Sequence, residues 1–427
     1  MTEKLGNHLA FIGHDYNIAD INQLIGENHN HVSFIDSAQD AALILEQVKV
    51  INPNLVICIG ESIGKIYGIE EYHDVIKNGG FFYTMINLNA INAANTFLEE
   101  FFKYKGIIKV TNNLIYYRNH KFEKKSYVNI EDDTQCFMKS DKPTAFKSFD
   151  GYYLRKVDRG FIEDKSKTYE EHLKKKDLFY YNHINKLQHS KCVRIMYFDI
   201  ENDFSNDVIN APKEVISVGF YDSYNKQYWC YVFNKFKLHI DNLTNIVQFD
   251  DEKTMLEAFF AQIKDYDVMT GWYSNGFDIP YLLSRARKLK IDLKKYFGNI
   301  FFEFENKEAK IFQDVVTLFD ALEFYKRTVY FNKPPSYSLD AVSKHLFGND
   351  VSKLEKSSDL PELWRSDINR VIKYNLNDIK LLKMICEHHS ILEYPLQLQQ
   401  LCPQDFENAF YNSKIIENLI HHRLWKQ

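Results

Sequence analysis

The sequence predicts an α/β protein with two successive sheet-and-helix units, and two patterns carry that expectation. Over residues 1–105 short apolar runs alternate with longer segments of helical periodicity, which implies a parallel sheet with helices on both faces, a small three-layer domain. From residue 191 onward three strands follow one another directly and helices come later, the order expected of a mixed sheet that is covered afterwards. With 427 residues, 45% hydrophobic and 15% aromatic, the chain can bury two or three cores, and 16 Gly with 9 Pro are too few for a low-complexity sequence.

In the first unit the strands are read at 9–13, 31–36, 55–60 and 81–86. The segment 38–50 shows why helices fall between them: Ala38, Ala41, Ala42, Leu45 and Val48 make an apolar face, while Gln39, Asp40, Glu46 and Lys49 make a polar one. After the third strand, Gly60-Glu-Ser-Ile-Gly64-Lys65-Ile66 resembles a phosphate-binding loop. It is one residue short between its glycines and lacks the hydroxyl that would meet Mg²⁺, so it reads as a strand-to-helix turn. Residues 106–190 read as an irregular, β-rich linker region: a strand pair around 107–117, a polar stretch over 119–142, and a charged helix from about 169 to 188. The run Lys174, Lys175, Lys176 in that helix is read first as a solvated face. The second α/β unit spans 191–395, with strands at 193–202, 214–223, 227–234 and 267–272 and helices near 252–265 and 278–290; a helical tail occupies 396–427.

Charge gives little away. Lys+Arg 53 against Asp+Glu 58 leaves −5, so any contact with a polyanion must use local basic patches. The six cysteines show neither Cys-x-x-Cys nor zinc-type spacing, which fits a reduced compartment. The start lacks the cationic then apolar order of a secretion signal, and no apolar run is long enough to span a bilayer; a cytoplasmic protein without membrane contact is expected.

Chemistry is concentrated in three short elements. The first strand of the second unit ends Phe198-Asp199-Ile200-Glu201. Strand side chains alternate, so Asp199 and Glu201 share a face about 7 Å apart along the strand. Adjacent carboxylates repel unless a cation lies between them, which suits a divalent metal. Further on, Tyr273-Ser-Asn275-Gly-Phe277-Asp278-Ile-Pro280 brings a strand through a glycine-bearing turn to a helix start, where Asp278 has an ordinary reading as a cap. Finally, Tyr374-Asn-Leu-Asn-Asp378 places Tyr374 and Asp378 at i and i+4, on one helical face.

Taken together and in this order, the three elements resemble the signatures of the 3′→5′ proofreading exonuclease of family B DNA polymerases: Asp-x-Glu, Asn-x-x-x-Phe-Asp and Tyr-x-x-x-Asp. Segments from Asp314 (Asp-Val-Val-Thr-Leu-Phe-Asp) and from Pro335 (Pro-Ser-Tyr-Ser-Leu-Asp-Ala-Val) are also similar to the family, and the likeness runs over about residues 145–425. It is nearest to phage-type members, in keeping with a composition rich in Asn, Lys, Ile, Tyr and Phe. One departure stands out: the second signature normally opens with Asn, where this chain has Tyr273, although Asn275 follows two residues later.

The resemblance implies an RNase H-like domain of the DEDD type, in which four carboxylates hold two Mg²⁺ or Mn²⁺ ions at a terminal phosphodiester. By that likeness Asp199 bridges both ions, Glu201 and Asp378 complete one site, and Asp278 serves the other. Tyr374 would orient the attacking water, since a phenol of ordinary pKa near 10 is a poor general base. The expected substrate is single-stranded DNA or a frayed primer 3′ end, shortened to nucleoside 5′-monophosphates, with Phe277, Tyr273 and Asn275 as candidates for contacting the terminal nucleotides. The basic run from Arg285 to Lys295 can either guide the strand or form a solvated helix face.

Two sequence elements that the polymerase half of the family carries, Asp-x-x-Ser-Leu-Tyr-Pro-Ser and Tyr-Gly-Asp-Thr-Asp, do not occur in these 427 residues. No polymerisation by this chain alone is expected. The readings that follow are the nuclease half of a split polymerase working with a separate palm-containing subunit, a stand-alone nuclease, or a segment of a longer polypeptide; a phage-encoded protein would work in the host cytoplasm. The alternative class is a catalytically silent DNA- or subunit-binding module that keeps the fold.

Overall fold

The structure, a computed structural model, describes four strands at 8–13, 31–36, 55–59 and 81–84 and then residues 103–425, apart from 120–121, 149, 163, 165–167, 172, 184–186, 242–243, 306–307, 330, 332, 349–350, 352–358 and 402–403. The chain divides into two compact units, residues 1–108 with 116–126 and 186–192, and residues 109–115 with 127–185 and 193–427.

In the first unit β1 (His8–Gly13), β2 (His31–Asp36), β3 (Leu55–Ile59) and β4 (Phe81–Thr84) form one sheet in the order β2-β1-β3-β4. β1 is parallel to β2 and β3, but β4 runs antiparallel to β3, so the sheet is parallel in three strands and mixed at one edge. Apolar alternation sets where strands lie and leaves the direction of an edge strand open, which is why the sequence reading missed it. The expected helices and the Gly60–Ile66 turn lie outside the described residues.

Residues 103–185 contain strands beyond the one pair read at 107–117. The stretch read as polar over 119–142 contains strands Lys124–Val128 and Gln135–Lys139, and the helix expected from 169 is confined to Lys175–Asn182, because Thr168–Tyr169 pair with Met138 and Phe137. Lys176 reaches Asp405 at 2.9 Å, and the Asp405 carboxylate holds its ammonium above the usual lysine range. That lysine is a structural tie.

The second unit is built on six strands: β5 (Ile195–Asn202), β6 (Val215–Asp222), β7 (Gln227–Phe233), β8 (Ile246–Phe249), β9 (Val268–Gly271) and β10 (Thr317–Asp320). Their order is β8-β7-β6-β5-β9-β10. β5 to β7 form an antiparallel meander, whereas β8, β9 and β10 join in parallel, a mixed sheet with the RNase H-like arrangement. β5 lies at the centre, with β6 antiparallel on one side and β9 parallel on the other. Helix α1 (Glu252–Ile263) packs on β6–β8 through Met255, Leu256, Phe259 and Ile263, in one core with Phe198, Ile200 and Phe220. Helix α2 (Asp278–Lys288) joins that core through Ile279, Leu282, Leu283 and Ala286. On the other face, the 21-residue helix α3 (Ile368–His388) lies over β5–β7, and its Ile379, Leu382 and Ile385 pack with Tyr197 and Tyr221. Period-two alternation along β5 thus separates an apolar core under α1 from the face that carries Asp199. The hairpin Ile300–Glu305 and Glu308–Gln313 between α2 and β10 was not foreseen. Among the described residues, no helix is long and apolar enough to cross a membrane.

The basic run after Asp278 divides in two. Arg285 is buried and grips Glu252 through Nε–Oε1 at 2.8 Å and Nη2–Oε2 at 2.6 Å, while its Nη1 donates to the carbonyls of Ala211 and Pro212. Glu252 also accepts from the Val215 amide at 2.8 Å. This residue locks α1, α2 and the entry to β6 together and is unavailable to guide a strand; Lys288, Lys290, Lys294 and Lys295 remain exposed. Arg285→Ala would strand a buried carboxylate, and urea denaturation is expected to show a loss of about 3–5 kcal/mol.

Candidate functional site

Strand β5 delivers the first two carboxylates from the middle of the sheet, Asp199 half-buried and Glu201 9% exposed. A register shift between Glu201 and Asn202 bends the strand immediately after them. Helix α3 brings the third: Asp378 is 1% exposed, and Tyr374, one turn earlier on the same helix, is equally buried. One oxygen each from Asp199, Glu201 and Asp378 lie within 4.8 Å of one another. That is the span oxygens occupy around one divalent cation, about 4–5 Å across, and carboxylates are the hard donors that Mg²⁺ and Mn²⁺ prefer. The residues present therefore fit a divalent metal.

Asp278 stands outside that mutual triad and beside it. It is the first residue of α2, preceded by Phe277 at φ −133° and ψ −70°, and its Oδ1 accepts from the Ile200 backbone amide on β5 at 3.2 Å. The cap position of α2 is Phe277, without a side-chain cap bond, and the Asp278 carboxylate turns one oxygen to β5. Burial, and then the negative charge of Asp199, push its carboxyl well above the usual carboxylate range, while the Ile200 amide pulls the other way. A buried acid beside another acid is the electrostatic condition that a cation relieves.

The turn into α2 holds the remaining candidates. Tyr273 is 56% exposed and has φ +65°, a left-handed conformation that Asn tolerates far better than Tyr. Its carbonyl accepts from the amides of Gly276 and Phe277 at 3.1 and 3.0 Å, and its ring lies over Gly276, where a Cβ would fall 2.3 Å from Cζ. The Asn275 backbone amide donates to Asp320 Oδ2 at 2.9 Å, while Asp320 Oδ1 takes the Glu323 backbone amide at the start of the next helix. Phe277 is partly buried and packs against Tyr281 with ring centroids 5.6 Å apart. The geometry thus gathers Asp199, Glu201 and Asp378, sets Asp278 and Tyr374 next to them, and leaves Tyr273 on the surface.

Sequence reasoning overlooked several neighbours. Asp320 is 2% exposed, and burial raises its carboxyl pKa. Asn375 is fully buried, and its Nδ2 donates to Asp199 Oδ2 at 2.9 Å. Gly219 lies directly opposite Asp199, and a Cβ there would fall 2.3 Å from Asn375 Oδ1. Phe204, three residues beyond Glu201, is 58% exposed. Only Gly219 left a usable signal, since a glycine inside an apolar strand marks a close approach.

An RNase H-like sheet with a carboxylate triad across β5 and α3 defines the class as a nuclease fold. Residues 147–342 match the family model for the exonuclease domain of DNA polymerase family B, which supports a family B polymerase exonuclease region in this part of the chain. The chain is 25% identical over 297 residues to the DNA-directed DNA polymerase of Escherichia phage RB69, covering 58% of this chain and 31% of that protein. It is 24% identical over 279 residues to the DNA-directed DNA polymerase of Enterobacteria phage T4, covering 55% and 30%. With DNA polymerase 1 of Pyrococcus abyssi it shares 31% identity over 143 residues, 30% of this chain and 17% of that one. The chain thus spans about a third or less of the length of these relatives.

Two outcomes follow from this geometry. A carboxyl whose folded-state pKa is raised contributes stability at low pH and loses it as the pH climbs through the folded value. In metal-free buffer the stability of the wild type relative to Asp278→Asn is therefore expected to fall from about pH 4 upward and level off above the raised value, leaving the variant more stable at neutral pH; thermal melts across that range check it, and Mg²⁺ should shrink the gap. Tyr273→Asn should relieve backbone strain and raise stability by about 1 kcal/mol in urea titration.

Proposed function

We propose that this chain is a divalent-metal-dependent 3′→5′ exonuclease that shortens single-stranded DNA or a frayed primer end one nucleotide at a time, yielding nucleoside 5′-monophosphates. One observation carries the reading: carboxylates from positions 199, 201 and 378, distant in the chain, converge within a single coordination span. The pressure on Asp278 beside them supports it. Asp199, Glu201, Asp278 and Asp378 would hold two Mg²⁺ or Mn²⁺ ions, which when bound would lower the pKa of water and offset charge on the departing 3′ oxygen. The chain itself supplies position. Tyr374, one helical turn from Asp378, directs its hydroxyl toward the nucleophilic water; Phe277 and the exposed ring of Tyr273 offer π faces to terminal bases regardless of sequence; and Asn275 offers an amide to the substrate backbone. The relatives are named as polymerases, which supports reading the activity as proofreading beside a palm-containing chain or subunit, in the cytoplasm of a host cell.

A 5′-labelled single strand incubated with Mg²⁺ should give a descending ladder that chelator or Asp199→Ala removes. No digestion in either Mg²⁺ or Mn²⁺ would overturn the nuclease reading and leave a binding module, which the Tyr273 departure favours. Tyr374→Phe should slow single-turnover cleavage by roughly tenfold to a hundredfold without changing strand affinity, because a misplaced nucleophile costs rate rather than binding.

A further inference from the structure

Three residues form one row across the meander: Asp199 on β5 lies opposite Gly219 on β6, which lies opposite Cys230 on β7. Facing residues in register share a side of the sheet. Over the middle of that row sits Asn375 of α3, fully buried, in the space that the missing Gly219 side chain leaves. Its Nδ2 donates to Asp199 Oδ2 at 2.9 Å and also faces the Asp199 carbonyl oxygen at 3.3 Å, so one amide grips the side chain and main chain of the same residue. Its Oδ1 faces Cys230 Sγ at 3.8 Å. Burial pushes the Cys230 thiol up, so it keeps its proton and can donate. A donor on the cysteine side decides which way the amide points and turns the NH₂ toward Asp199.

We propose that Asn375 is the positioning residue of the metal site: held by Gly219 below and Cys230 behind, it fixes the Asp199 carboxylate in the orientation that binds the cation. This rests on the reading of residues 199, 201 and 378 as ligands and adds a residue that touches no metal itself. A neutral amide suits the task. It occupies one lone pair of Oδ2, leaves the others to the ion, and brings no positive charge to compete with it. Partners of this kind, when removed, typically lower metal affinity or activity by about 10–100-fold.

The test uses the full chain with Mn²⁺ as probe, free Mn²⁺ being followed by electron paramagnetic resonance, alongside Mg²⁺ titrations of single-strand digestion. Asn375→Leu and Asn375→Ala are compared with wild type, each verified by circular dichroism; the alanine variant is the fallback if leucine cannot be accommodated. Both are expected to bind Mn²⁺ at least tenfold more weakly and to need correspondingly more Mg²⁺ for half-maximal digestion, with much of the rate regained at saturating metal. A purely structural asparagine would lower the melting temperature and leave Mn²⁺ affinity alone. A folded variant with wild-type Mn²⁺ affinity overturns the inference and spares the nuclease reading. Mn²⁺ binding that weakens in the variants, in a chain that digests no strand, supports the inference while the nuclease reading falls. Wild-type protein that binds no Mn²⁺ removes both.

Discussion

The closeness of helix α3 to strands β5 and β6 is the constraint on which the candidate site depends. Two of its candidate side chains, Tyr374 and Asp378, belong to the helix, whereas Asp199 and Glu201 belong to the strand beneath it. A helix resting on ordinary side chains would stand too high for oxygens of all three acids to meet. Gly219 removes the obstacle: a Cβ there would fall 2.5 Å from Ile379 Cδ1 as well as 2.3 Å from Asn375 Oδ1, so the absence of a side chain lets α3 settle onto the sheet. The packing of Ile379, Leu382 and Ile385 against Tyr197 and Tyr221 then holds it there.

This closeness concentrates like charge. Two buried carboxylates of the second unit meet guanidinium forks, Glu252 that of Arg285 and Asp222 that of Arg194 at 2.7 Å. Asp278 accepts from the Ile200 amide and Asp199 from the Asn375 side chain, both of them neutral donors. Neutral donors orient a carboxylate while leaving its charge available, which is what a binder of cations requires. Burial and the neighbouring charge of Asp199 raise the Asp278 carboxyl, and the Ile200 amide offsets part of that.

Much of this was legible in the chain and some was not, for physical reasons. Alternation along 195–202 gave both the strand and the shared face of Asp199 and Glu201, and helical spacing gave the shared face of Tyr374 and Asp378, because each is a local property of backbone periodicity. Joining those elements needed the family resemblance, since periodicity says nothing about which surfaces meet. Asp278 shows the boundary well: a helix start with an acid suggested a cap, and only the tertiary contact with Ile200 reveals another use. Arg285 looked like one member of a basic stripe, yet it is committed to Glu252, a partner 33 positions away. The mixed edge at β4 and the hairpin over 300–313 were likewise hidden, since strand direction and pairing are decided by neighbours.

The order of the elements along the chain carries a consequence of its own. β5 and α2 are synthesised well before α3, so an emerging polypeptide displays Asp199, Glu201 and Asp278 while the helix bearing Tyr374 and Asp378 is still missing. Any transient lifting of α3 from the sheet recreates the same incomplete arrangement without unfolding the strands. A complete set of candidate carboxylates therefore exists only while α3 is docked on the sheet.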